Sequence, residues 1–235
     1  MSETSGDATV VEESKSGIAL MSTLFVLGGA GLGWFIKTGA GWVADLPWAP
    51  FQGPFRLITE ITDAEPVSTI VALAIGALAG AIFAVLAMAD MLRVTLASNH
   101  VALRRGSKEQ TFARADISAA YVDGKQLVVV GTSGEELARE QTDLGKDELG
   151  DAFRARGYPW SQDDPYAADF RRWVPDTPDL PPGADALFKA REKAITSGDN
   201  DDVAELRSEL AKLSVVVRDQ DKRQYWRLDG RQIDQ

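Results

Sequence analysis

The stretch VSTIVALAIGALAGAIFAVLAMADMLRVTLASNHVALRRG, residues 67–106, changes its period halfway along. Val67 to Ala89 carries no charge and stays apolar around the whole helical circumference. It is longer than the roughly 20 residues that a helix needs to cross a hydrocarbon core. From Leu92 the apolar residues fall on alternate positions instead: Leu92, Val94 and Leu96, then a Ser98-Asn99 turn, then Val101 and Leu103. Period two is the signature of a half-buried strand. A membrane helix that runs straight into a β-hairpin is therefore predicted, and the rest of the chain is placed from that junction.

Upstream, Gly17 to Ile36 is a second uncharged run, bracketed by Lys15 and Lys37. Met1 to Ser16 is acidic (Glu3, Asp7, Glu12, Glu13), whereas a cleaved signal peptide needs a basic start and a shorter apolar run. The expected order is a disordered tail at 1–16, a first transmembrane helix at 17–37, an extracytoplasmic loop at 38–66 and a second transmembrane helix at 67–90. The loop holds Arg56 as its one basic residue against four acids, while Arg93, Arg104, Arg105, Lys108 and Arg114 follow the second helix. The positive-inside rule then predicts a multi-pass cell-membrane protein with two spans and both termini in the cytoplasm. Within the loop, LPWAPFQGPFRLI (46–58) is rich in proline and aromatic residues. Its composition fits a re-entrant, interface-lying segment or an epitope for an external partner.

Small residues recur every four positions in both helices: Gly29 and Gly33 in the first, and Ala72, Gly76, Gly80 and Ala84 in the second. Such rows let backbones approach closely in lipid, where apolar burial gives helices no drive to associate. Packing the two helices as a hairpin is the expected use, and a homodimer could employ the same faces. No charged or strongly polar side chain lies mid-helix, so an anchor is expected rather than an ion path.

Composition removes whole classes of chemistry. Net charge is −10, against a general nucleic-acid binder. There is no cysteine, hence no disulfide, thiolate nucleophile or Cys-ligated metal. His100 is the one histidine and sits in the Ser98-Asn99-His100 turn, leaving little for a catalytic triad or a His-based metal site. No nucleophile–base pair, phosphate loop or metal cluster stands out, so no catalytic residue, metal or cofactor is assigned and the chain is expected not to be an enzyme.

In 91–160, Ile117, Ala119 and Tyr121 lead into an Asp123-Gly124 turn followed by Leu127 and Val129, with a further strand near Leu137. Leu149 and Phe153 then lie one helical turn apart, and Gly157 stops that helix. A small β domain closed by one helix is expected here. Residues 161–183 hold five prolines and read as a linker, with Phe170 and Trp173 tucked against a neighbour. The 184–235 segment reads as a helix over Ala184–Ser197, Gly198 as its stop, and a second helix capped near Asp199. That second helix carries Val203, Leu206 and Leu210 on one face, and two short strands around Asp219 to Arg223 close the segment. The cluster Asp199, Asp201, Asp202 lacks the turn glycine and distal glutamate of a calcium loop, and capping accounts for it. The fold class expected overall is an α+β membrane protein. It has a two-helix transmembrane hairpin, a small β domain closed by a helix, and a helix-helix-β-hairpin C-terminal domain.

The hairpin after the second helix (VTLASNHVALRRG), the DIxxAYVDGKQLVVV strands and the helix ending RARGYPW resemble bacterial pleckstrin-homology-like (PH-like) domains found beside two membrane helices. The whole arrangement resembles the YqeB family of bacterial membrane proteins. Pleckstrin-like modules in general bind lipid headgroups or protein segments. Residues 91–160 carry ten basic and ten acidic side chains, so a lipid-facing strip would rest on Arg104, Arg105, Lys108 and Arg114. The last part, ALFKAREKAITSGDNDDVAELRSELAKLSVVVRDQDKRQYWRL, resembles the C-terminal end of cysteinyl-tRNA synthetases, which lies beside the anticodon. The shared features are Ala190-Arg191, Leu206-Arg207, Val217-Arg218-Asp219 and Trp226-Arg227. The synthetases' nucleotide-binding signatures and zinc site have no counterpart here, which excludes aminoacylation.

The expectation is a non-catalytic scaffold in the lipid bilayer that presents its PH-like and synthetase-tail-like modules to a cytoplasmic protein partner. The alternative is a membrane-anchored tRNA- or RNA-binding protein that uses Lys222, Arg223, Tyr225, Trp226 and Arg227. Aromatic rings stack on unpaired bases and arginines meet phosphate, so the residue types are suited. Residues 161–235 nevertheless hold twelve basic and sixteen acidic side chains, which confines any basic face to the last hairpin. An enzyme or transporter of another kind is the remaining alternative.

Overall fold

The computed structural model describes residues 2–5, 8–12, 14–44, 66–89 and 91–230. The proline- and aromatic-rich segment at 46–58 lies outside them. The described chain divides into two compact units, one holding 12–91 with 105–108, the other holding 2–11, 92–104 and the rest of the chain from 109.

The first unit is a helical hairpin. Helix α1 spans Lys15–Ala44 and α2 spans Val67–Ala89. The hydroxyl of Ser14 accepts the Gly17 amide at 3.0 Å and so satisfies one of the open donors at the start of α1. The small-residue rows face each other. A Cβ placed on Gly29 would run into the Gly76 carbonyl, one on Gly33 into the Ala72 carbonyl, and one on Gly80 into the Phe25 carbonyl. Gly28 and Gly31, one or two residues away on α1, meet nothing within 4 Å. The small-residue rows thus meet each other within the chain. The outward surface is apolar: Leu27, Phe35, Ile75 and Leu78 are each at least 64 % exposed.

The second unit starts before the hairpin. Strand β1 (Ser2–Ser5) pairs with β2 (Ala8–Val11), and β2 pairs antiparallel with β3 (Leu92–Ala97), with Val11 opposite Val94. The sheet continues through β4 (His100–Arg105) and β5 (Lys108–Ala113) in the order β1-β2-β3-β4-β5. The expectation of a disordered 1–16 tail is corrected here. Ala8–Val11 holds only four residues, too few to signal a strand alone, and its partner lies beyond the hairpin in sequence. Strand β5 was also missed, because KEQTFA is exposed along most of its length and shows no alternation.

A second antiparallel sheet holds β6 (Ile117–Asp123), β7 (Gln126–Gly131) and β8 (Glu136–Gln141). Helix α3 (Lys146–Ala155) buries Leu149, Ala152 and Phe153 in a core shared with Val11, Val94, Leu127 and Val129. Gly157 follows it at φ +69°, the left-handed conformation that glycine adopts without steric cost. The Tyr158 hydroxyl donates to the Ala97 carbonyl at 2.7 Å, and Arg156 Nε donates to Thr9 Oγ1 at 2.6 Å. The C-terminal end of α3 is in this way tied to β2 and β3.

The C-terminal module has its own core. Helices α4 (Ala184–Ser197) and α5 (Asn200–Lys212) pack on a three-stranded sheet of order β10-β11-β9. Its strands are β9 (Arg171–Arg172), β10 (Val215–Gln220) and β11 (Arg223–Leu228). Asp199 caps α5 by accepting the Asp202 amide at 3.1 Å. The 161–183 segment is more than a linker. It supplies β9, and Trp173 stacks on Phe188 with ring centroids 5.4 Å apart inside that core.

Candidate functional site

The last hairpin carries the side chains that sequence singled out for contact with RNA or a partner, and folding separates them. Lys222 occupies the β10–β11 turn at φ +60° and is exposed, as is Arg223. Tyr225 is half-buried. Trp226 is 3 % exposed and belongs to the module's core; Arg227 is 4 % exposed. Alternation along β11 turns Trp226 to the face covered by the helices, whereas Arg227 lies on the opposite face with Arg223 and Tyr225 and is buried against Gly134 and Tyr166. Trp226 and Arg227 are therefore removed from any accessible contact surface, leaving Lys222, Arg223 and part of Tyr225.

Beneath the hairpin lies a buried polar network. Arg191 of α4 is fully buried, and its two terminal nitrogens each donate to an Asp219 carboxylate oxygen at 2.6 Å. Arg191 also donates to Gln224 Oε1 at 3.0 Å and to the Val203 carbonyl at 3.3 Å, while Gln224 Nε2 donates to the Phe188 carbonyl at 3.0 Å. A bidentate fork of this kind fixes geometry as well as charge. Burial would raise the Asp219 carboxyl, but the Arg191 pair outweighs it and holds the group below the ordinary carboxylate range.

The network continues into the module built by the first two sheets and α3. Arg207 of α5 donates to the Val217 carbonyl at 2.5 Å and to Asp219 at 3.1 Å, and lies 3.6 Å from Glu136 of β8. Burial lowers the Arg207 guanidinium to about 10, against the pull of Glu136, so it stays charged at neutral pH. Glu136 also takes Arg139 at 2.6 Å, and Arg139 reaches Asp123 at 3.0 Å. Arg218 stands 3.6 Å from Asp123 and 3.7 Å from Asp164. Arg227 donates to the Gly134 carbonyl at 2.6 Å, with its guanidinium 4.2 Å from the Tyr166 ring centroid. Tyr121 lies under this layer, its hydroxyl titrating well above the ordinary value through burial and then the nearby Glu136 and Asp164 charges. Arg191 reads from sequence as part of a helix face and, like Arg207 and Arg218, as a motif residue of the resemblance; their carboxylate partners are distant in sequence and carry no local signal.

A cleft of about 570 Å³ opens beside this layer, lined by residues that include Asp123, Lys125, Thr142, Lys146, Asp164 and Arg218. Its acids and bases largely pair with each other: Lys146 with Asp163 at 3.3 Å, and Arg218 with Asp123 and Asp164. Among the described residues no three acidic or imidazole side chains converge on a metal-sized site. His100 is the first residue of β4, just past the Ser98-Asn99 bend, with Nδ1 2.7 Å from Asn99 Oδ1. Chemically, the arrangement holds two modules together through paired charges.

Comparison with known proteins follows the same division. The family model of the YqeB-like bacterial PH domain matches residues 9–161, a span that includes β2 and both apolar helices. The model of the cysteinyl-tRNA ligase anticodon-binding domain matches residues 177–227. The chain is 42 % identical to the uncharacterized protein YqeB of Bacillus subtilis (strain 168), over 93 % of this chain and 91 % of that protein. No solved structure matches.

Proposed function

The chain belongs to the YqeB-like bacterial PH-domain family, and from that premise we propose that it is a membrane-anchored, non-catalytic scaffold whose folded unit of two modules faces the cytoplasm. The observation that carries this reading is the place of the hairpin in the sheet. Strand β2 runs into α1, and α2 runs into β3, while Val11 and Val94 are partners in one antiparallel pair. The two ends of the apolar hairpin thus continue into neighbouring strands of one sheet, which supports a reading with two crossings. The membrane part is supported by two helices of sufficient length and apolarity. Their most apolar stretches are 0 % and 17 % buried, whereas the core helix of a soluble protein is mostly buried. A continuous apolar surface of this kind is a liability in water and at home in lipid. The basic residues after α2 favour the cytoplasmic side for the folded unit.

The scaffold part rests on a charged, self-paired surface and on the burial of Trp226 and Arg227, which weakens the RNA alternative. Reporter fusions test the topology. Alkaline phosphatase placed within 45–65 is expected to be active, and fusions at either terminus inactive. Termini reporting on opposite sides would defeat the reading, because β2 and β3 could not then pair. Proximity labelling from the C-terminus is expected to return a reproducible protein partner.

A further inference from the structure

We propose that the junction between the PH-like module and the C-terminal module is a reversible clasp, held shut by arginines and covering an apolar sheet face that opening would expose. The proposal concerns the folded unit alone and stands whether or not the chain is a scaffold.

The two modules do not share a core. The PH-like core and the C-terminal core are separate clusters. A third cluster lies on the outer face of β6 and β7, formed by Ala119, Tyr121, Val128 and Val130, and its one further apolar neighbour is Tyr166 of the connecting segment. The C-terminal module turns toward the joint the outer side of β10 and β11, where Val216 is buried and paired with Arg227. It adds Arg207, Arg218 and Arg227, whose partners Glu136, Asp123, Asp164 and the Gly134 carbonyl belong to the PH-like module or the connecting segment. Beside them stands one backbone bond, from the Gly230 amide to the Ser133 carbonyl at 2.5 Å.

Such a joint is poor at staying shut. The ion pairs that Arg207 and Arg218 make across it lie at 3.6–3.7 Å, beyond hydrogen-bond reach. The closed state also leaves Tyr121 Oη, Asp164 Oδ2 and Arg227 Nε buried without a hydrogen-bond partner. Each is a group that water would satisfy on opening, so closure forfeits hydration that the intact cores never had to surrender. Polar joints between modules that keep separate cores open at lower free energy than the cores unfold.

Adjacent residues of β7 supply the test, because Val130 belongs to the covered outer face and Val129 to the inner core. The chain has no cysteine of its own. Val130→Cys and Val129→Cys are made separately in the full-length protein in detergent, and the rate of thiol labelling is followed under native conditions. Val130→Cys is expected to label at least about tenfold faster than Val129→Cys, reporting local opening against global unfolding. Adding Arg218→Gln, which removes a side chain with no hydrogen bond of its own, is expected to speed labelling at Val130→Cys several-fold and leave Val129→Cys unchanged. Salt at about 1 M, where charges are screened beyond about 3 Å, is expected to act in the same direction. Equal labelling rates at the two positions would overturn the clasp, as would acceleration of both by Arg218→Gln, since the modules would then open only by unfolding together.

Discussion

Asp219→Asn is the sharpest probe of the buried network. The substitution keeps size and shape but removes the charge that receives both terminal nitrogens of Arg191 at 2.6 Å. Arg191 has no exposed side-chain surface, whereas Asp219 keeps 33 % of its own. Removing one partner of a fully buried pair costs about 3–5 kcal/mol, because the other charge stays dry and unmatched. Partial solvent access at Asp219 and the remaining bonds to Gln224 and Val203 discount that, so a loss of about 2–3 kcal/mol is expected. The sign with pH follows from the depressed Asp219 carboxyl. Its contribution is fully present above the ordinary carboxylate range and is lost as pH falls through the lowered folded value. Wild type and Asp219→Asn should thus differ at neutral pH and converge in acid. The assay is urea unfolding followed by Trp173 and Trp226 fluorescence, with the other tryptophans replaced by phenylalanine in both proteins. A gap below about 0.5 kcal/mol at neutral pH, the range of an ordinary surface change, would refute the reasoning. So would a gap that persists unchanged into acid.

Two further outcomes are expected. Gly76→Val should loosen the α1–α2 contact, since its Cβ would meet the Gly29 carbonyl, while Gly28→Val, with nothing within 4 Å, should be neutral; thermal unfolding in detergent separates them, and equal effects would count against the packing. Val11→Asp places an unpaired charge at a position with 0 % exposure, a change of more than about 3 kcal/mol; limited proteolysis of residues 91–160 should report collapse of that module, and a silent substitution would mean that β2 is dispensable.

How much of this was legible depended on the range of the signal. Helix α4 could be read over Ala184–Ser197 because Phe188, Arg191 and Ala194 recur at helical spacing and Gly198 ends it locally. The α1–α2 contact was readable because four-residue spacing of glycine has one strong use in lipid. Strand β2 was not, because its partner β3 lies beyond two helices. The candidate site divides into exposed and buried residues for a related reason. Lys222 to Arg227 looks like one aromatic and basic surface when read in a line, and strand alternation turns Trp226 inward while Arg227 finds Gly134. Arg191 was placed on its helix face but nothing adjacent announced Asp219 as its partner.

The pairing of Val11 with Val94 also sets an order of synthesis. Strand β2 leaves the ribosome before either apolar helix and stays without its neighbour until both helices and β3 have followed. The folded unit is therefore completed only on a chain whose hairpin has already turned back. A helix that stalled or inserted the wrong way would strand β2, leaving Val11 exposed and the first sheet open along one edge. Exposed apolar strand edges are what proteases and chaperones act on, so the integrity of the first sheet reports on whether the hairpin has closed.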